Sequence, residues 1–154
     1  LRKFYQDDFE SGNITIMYLN GLSMELITVL KTLSHFIFVQ IPFIISIPVA
    51  CILINIPLEK MYYLIISFLI GSLILSSLGS ISSSMNLLNK RNYLLGSLIV
   101  MIFSIPVIIF SVGIIDLEES INSLISILFG ILLIVFAVNP WASGACLKLA
   151  LENN

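Results

Sequence analysis

Residues 61–89 read MYYLIISFLIGSLILSSLGSISSSMNLLN, a stretch without a single Asp, Glu, Lys or Arg. A helix needs about 20 apolar residues to cross roughly 30 Å of hydrocarbon, so this stretch is long enough to span a bilayer. Backbone polar groups find no water in hydrocarbon, which leaves a helix as the form such a span takes. Tyr62 and Tyr63 open it, as amphipathic rings do at the water–lipid boundary.

Three further runs share this character: 32–58, 93–115 and 123–147. Spans are expected at 32–54, 61–85, 93–115 and 123–147. Composition agrees, with 58% hydrophobic and 10% charged residues and a mean hydropathy of +1.10. Soluble domains carry about 25% charged residues. The expected fold class is therefore all-α, a polytopic membrane helix bundle with four transmembrane helices in this chain. Pro42, Pro48 and Pro106 fall inside the runs, where neighbouring helices re-satisfy the carbonyls that proline frees.

The second run carries a pattern of its own. Ser72, Ser76, Ser80 and Ser84 are four apart and form one helical stripe, with Gly79 beside it. Small residues at this spacing let helix backbones approach closely, so Ser72, Ser76, Gly79 and Ser80 are expected to pack helices. The other reading of the stripe is a path for a polar substrate.

Several chemistries are excluded. Cys51 and Cys146 sit far apart in apolar runs and make neither a disulfide framework nor a metal spacing. There is one histidine, His35. No Gly-rich loop leads into Lys-Ser/Thr, so the chain has no phosphate cradle of its own. No carboxylate lies inside an apolar run, where proton relays place theirs. No basic run suits nucleic acid. No catalytic residues and no resident metal are expected, and a transporter of this composition would draw its energy from a partner. His35 reads either as an interfacial hydrogen-bonding group or as an axial ligand to haem iron.

The polar end of the chain is residues 1–31. Phe4-Tyr5-Gln6-Asp7-Asp8-Phe9-Glu10-Ser11-Gly12 holds three of the nine acids. Acids and aromatics beside an apolar bundle make a candidate docking surface, the plainer alternative being acids that only keep the segment solvated. Ile14, Met17, Tyr18 and Leu22 recur at helical spacing, which predicts a short amphipathic helix. Asn20-Gly21 ends it, Ser23 caps the next helix, and Glu25 lies in that helix's first turn.

Four spans give two sides. Arg2, Lys3, Lys31, Lys90, Arg91 and Lys148 fall on one, and Lys60 alone on the other. The positive-inside rule puts the first side, with both ends of this chain, in the cytoplasm or an organelle matrix. Residues 1–31 are thus expected as a cytoplasmic segment, 32–148 as the transmembrane bundle and 149–154 as a cytoplasmic tail.

Three blocks resemble the haem exporter protein B family, the permease of the cytochrome c maturation system. They are residues 4–12 with their paired aspartates, Leu30-Lys31-Thr32-Leu33-Ser34-His35-Phe36, and the region from Leu69 through Lys90-Arg91 to Ile105-Pro106-Val107-Ile108-Ile109-Phe110. The resemblance implies a six-helix family member, with two helices expected before Leu1. It implies that the aspartate block is a cytoplasmic loop gripped by a separate ATP-binding-cassette ATPase, through Phe4, Asp7, Asp8, Phe9, Glu10 and Gly12. It implies further membrane partners of cytochrome c maturation, a homodimer within the complex, and haem as a handled ligand and not a firmly bound cofactor. The location implied is a bacterial inner membrane, or a mitochondrial one. The function expected is haem export, or release of a haem-loaded chaperone. A permease of another exporter of this class, or a non-transporting assembly scaffold, are the alternatives.

Overall fold

The computed structural model describes residues 3–53, 55, 57–88, 94–116 and 121–152. Every described element is a helix. In chain order they are α1 (Lys3–Glu10), α2 (Asn13–Leu19), α3 (Met24–Leu53), α4 (Leu58–Leu88), α5 (Leu94–Asp116) and α6 (Ile121–Glu152). The last four are each long and apolar enough to cross a membrane.

The segment before them departs from the expected single helix. Two short helices form, because Gly12 takes φ 75° and breaks the helical path between Glu10 and Asn13. A side chain there would be strained, and glycine is not. The acidic stretch is therefore itself helical. Gly21, at φ 90°, makes the second break. Ser23 caps α3 as expected: the Leu26 N–H donates to Ser23 Oγ at 3.3 Å.

The long helices also run further than the apolar runs. α4 begins at Leu58, so Glu59 and Lys60 belong to its first turn. α6 continues to Glu152, so most of the expected tail is helix. Hydrophobicity marks where a chain leaves water, whereas backbone hydrogen bonding carries a helix on past that point. Pro42, Pro48, Pro106 and Pro140 all lie inside helices. Residues 89–93, with Lys90 and Arg91, and residues 117–120 lie outside the described residues.

Helix α4 is the hub. It packs against α3, α5 and α6, and α1 lies across its C-terminal half. One apolar cluster joins α4, α5 and α6 through Ile74, Leu78, Val107, Ile114, Leu128, Leu132 and Val135. A second, built from Tyr5, Ile14, Met24, Ile27 and Leu147, seats the two short helices on the bundle. Gly96 permits the α4–α5 contact, since a Cβ there would stand 2.7 Å from the Ser82 carbonyl oxygen. Outward faces are apolar, with Phe38 80% and Trp141 76% exposed, as suits surfaces that meet lipid tails.

Candidate coupling site

The start of α3, the end of α4 and the end of α6 come together at one end of the bundle, and α1 is laid against them. Its inward side is set by Tyr5, which is 0% exposed. The Tyr5 hydroxyl lies 2.7 Å from Ser80 Oγ on α4. Ser80 Oγ is 3.3 Å from Ser143 Oγ on α6. Ser143 donates to Asn139 Oδ1 at 2.9 Å, one turn earlier. Asn139 Nδ2 donates to Thr32 Oγ1 on α3 at 3.0 Å, and Thr32 donates to the Thr28 carbonyl at 2.8 Å. An unbroken chain of hydrogen bonds thus links α1, α4, α6 and α3. All of its side chains are fully buried.

Each member has a reason to be bonded. A buried hydroxyl or amide without a partner costs about 1–3 kcal/mol. Interhelical bonds in membrane proteins contribute about 0.6 kcal/mol each on average, so the chain orients the helices more than it glues them. Burial also pushes the Tyr5 phenol up to about 12, outweighing the hydrogen bonds with Ser80 and Thr32 that act the other way. The phenol therefore stays neutral and keeps its proton for the hydrogen bond.

A second tie holds the same helix. Lys31 on α3 makes an ion pair with Asp8 and donates to the Phe4 carbonyl at 3.2 Å. Its ammonium lies 5.7 Å from the centre of the Tyr5 ring, within reach of a cation–π attraction. Phe4 in turn packs on His35, ring centres 4.6 Å apart.

The residues expected to grip a partner therefore divide. Asp7 and Glu10 are exposed, and Gln6 bonds Glu10 at 2.7 Å. Asp8 is turned to Lys31, with Asn13 at 3.3 Å on its other oxygen. Phe4 and Phe9 pack partly buried against the second apolar cluster, and Gly12 makes the turn. The serine stripe divides too. Ser80 and Gly79 are buried while Ser72 and Ser76 are half-buried. Ser72 bonds its own helix, at the Leu69 carbonyl, whereas Ser80 reaches across to Tyr5 on α1 and Ser143 on α6. Among the described residues no three His, Cys, Asp or Glu side chains cluster as metal ligands.

Sequence reading missed Tyr5, Lys31, Thr32, Asn139 and Ser143 as partners. Asn139 carried a signal, as an amide within an apolar run that needs a bond across helices. Nothing in spacing linked it to Thr32, 107 residues away.

The comparisons with known proteins bear on this arrangement. The profile of the family described as CcmB protein matches residues 1–150. Heme exporter protein B of Rhodobacter capsulatus is 27% identical over 155 residues, covering 99% of this chain and 71% of that protein. The protein of the same name from Haemophilus influenzae is 26% identical over 154 residues, covering 98% and 70%. That of Paracoccus denitrificans is 30% identical over 101 residues, covering 66% and 46%. The profile spans the short helices as well as all four long ones, and the chain belongs to the CcmB protein family.

Proposed function

We propose that this chain is the membrane permease subunit of an ATP-binding-cassette complex that handles haem in c-type cytochrome maturation. Its substrate is haem, or a haem-loaded chaperone that the complex releases. Energy comes from a separate ATPase subunit bound on the side of α1, which is the cytoplasmic side of a bacterial inner membrane. The relatives named Heme exporter protein B support the substrate class. The sequence's lack of a phosphate-binding loop supports the separate ATPase.

The observation that carries the mechanism is the two-faced build of α1. Asp7 and Glu10 face outward, while Tyr5 on the other side is bonded into the bundle. A partner that grips the acidic face and moves on ATP binding displaces α1. The Tyr5–Ser80 bond carries that displacement to α4, Ser143 carries it to α6, and the Asn139–Thr32 bond returns it to the first helix of the bundle, α3. Such a partner shifts the bundle only by binding its two arrangements with different affinity.

The test is a charge reversal that spares the structural ties. Asp7→Lys with Glu10→Lys should abolish co-purification of the ATPase and c-type cytochrome formation, with membrane insertion intact. Undiminished ATPase capture by that double variant would remove α1 as the docking face.

A further inference from the structure

Along the outward side of α6, Ile134, Val138, Trp141, Ala145 and Lys148 are all exposed. Spaced four and three residues apart, they fall on one helical stripe. The stripe runs from aliphatic through indole to ammonium, the order in which a membrane helix meets hydrocarbon, interface and water. Trp141 to Lys148 is therefore the depth at which this end of the bundle meets lipid headgroups.

A groove of about 360 Å³ opens at that depth, lined among others by Tyr18, Ser23, Glu25, Trp141, Gly144 and Lys148. α6 forms one wall and the start of α3 the other, with Tyr18 contributed by α2. Gly144 lets the two walls meet at the floor, where a Cβ would stand 3.3 Å from the Glu25 nitrogen. Gly144 and Ala145 leave a low step between the long side chains of Trp141 and Lys148.

Two opposite charges share this groove without pairing. Among the described residues, neither Glu25 nor Lys148 makes an ion pair or a side-chain hydrogen bond. Ser23 Oγ accepts the Leu26 N–H, which leaves its own proton free to donate. α3 and α6 are antiparallel here, Glu25 lying against Gly144 and Thr32 against Asn139. A Cα–Cβ bond tilts toward the N-terminus of its own helix. Lys148 therefore leans toward the hydrocarbon and Glu25 away from it.

We propose that this groove binds the headgroup of a zwitterionic aminophospholipid, with Lys148 and Ser23 on the phosphate and Glu25 on the ammonium. A phospholipid carries its phosphate next to the acyl chains and its ammonium beyond, and the two charges of the groove stand in that order. Trp141 supplies apolar surface for the glycerol and the first acyl carbons. The balance of charge decides against an anionic lipid. Lys148 is the one cation among the described lining residues, Glu25 opposes it, and Glu152 lines the adjoining groove that Lys148 also borders. A choline headgroup keeps the phosphate but has no N–H to give Glu25. The site involves none of the acids of α1 and goes beyond the coupling role.

The experiment purifies the full chain in mild detergent and exposes it to an equimolar mixture of phosphatidylethanolamine, phosphatidylcholine and phosphatidylglycerol with the same acyl chains. Native mass spectrometry counts the lipid retained. Wild type should retain phosphatidylethanolamine over the other two. Lys148→Gln should lower that retention by about fivefold, the upper end for one exposed ion pair. Glu25→Gln should erase the preference over phosphatidylcholine. Glu25→Lys should turn the preference to phosphatidylglycerol, a gain that misfolding does not mimic. Both side chains are exposed and unpaired, so lipid-free melting temperatures should match wild type. Absence of a preference in wild type would overturn the proposal, and phosphatidylglycerol as its best-retained lipid would reduce the groove to a basic patch. An unchanged lipid pattern in Glu25→Lys, or lowered lipid-free melting in the two glutamine variants, would overturn it as well.

Discussion

The Tyr5 hydroxyl lies 2.7 Å from Ser80 Oγ, joining residues 75 apart in sequence and tying a short surface helix to the most connected helix of the bundle. Removing the hydroxyl alone tests what the tie does. Tyr5→Phe keeps the ring buried and leaves Ser80 bonded to Ser143. Stability in detergent should fall by about 1 kcal/mol, while c-type cytochrome formation per ATP hydrolysed falls much further. Thermal unfolding and a coupled assay in the reconstituted complex measure the two. Equal small losses in both would make the bond structural only.

The same phenol predicts an alkaline limit. Its pKa is about 12 in the folded chain against an ordinary 10.0. A raised value means that the folded state holds the proton more tightly, so the contribution is fully present below pH 10 and is lost between pH 10 and 12. Thermal melts across that window should show a steeper fall for wild type than for Tyr5→Phe.

Asp8 and Asp7 should part company on mutation. Asp8→Ala removes the ion-pair partner of Lys31, leaving Asp7 as the acid that still acts on that ammonium, and loosens α1, so limited proteolysis near Gly12 should accelerate. Asp7→Ala should leave proteolysis unchanged and lower affinity for the ATPase. Identical proteolysis patterns in the two variants would count against the division of roles.

Asn139 bridges Ser143 and Thr32. Asn139→Leu removes the bond between α6 and α3, leaving Thr32 only the Thr28 carbonyl and Ser143 only Ser80, and should cost about 1–2 kcal/mol. Asn139→Gln keeps the amide chemistry but moves it outward by one methylene, and should recover little. Unfolding by denaturing detergent gives the comparison.

Gly96→Val should be more damaging than Gly144→Ala. Its Cβ would meet the Ser82 carbonyl at 2.7 Å, backbone that cannot swing away. Overpacking of this kind costs about 1–3 kcal/mol. Gly144→Ala, whose Cβ would stand 3.3 Å from the Glu25 nitrogen, should cost less. Thermal stability in detergent of the two variants ranks them.

The sequence by itself determined that this is a helical membrane bundle. Four uncharged runs of spanning length leave a chain no other way to satisfy its backbone in lipid. It also determined the family, through the aspartate block and the Lys-x-x-x-His segment, and it placed the turn at Asn20-Gly21, where only local backbone freedom is at issue. Tertiary structure decided which polar groups meet. Residues 4–10 became a helix with an inner and an outer face because Tyr5 found Ser80, and a pattern of acids cannot foretell a hydroxyl on another helix. Of the spaced serines Ser80 became the junction because α1 and α6 converge on it. Asn139 and Thr32 paired because antiparallel helices return to the same end of the bundle. Contacts of that kind depend on helix rotation and crossing, which are set by packing across the whole bundle, whereas hydrophobic run length is a property of the chain alone.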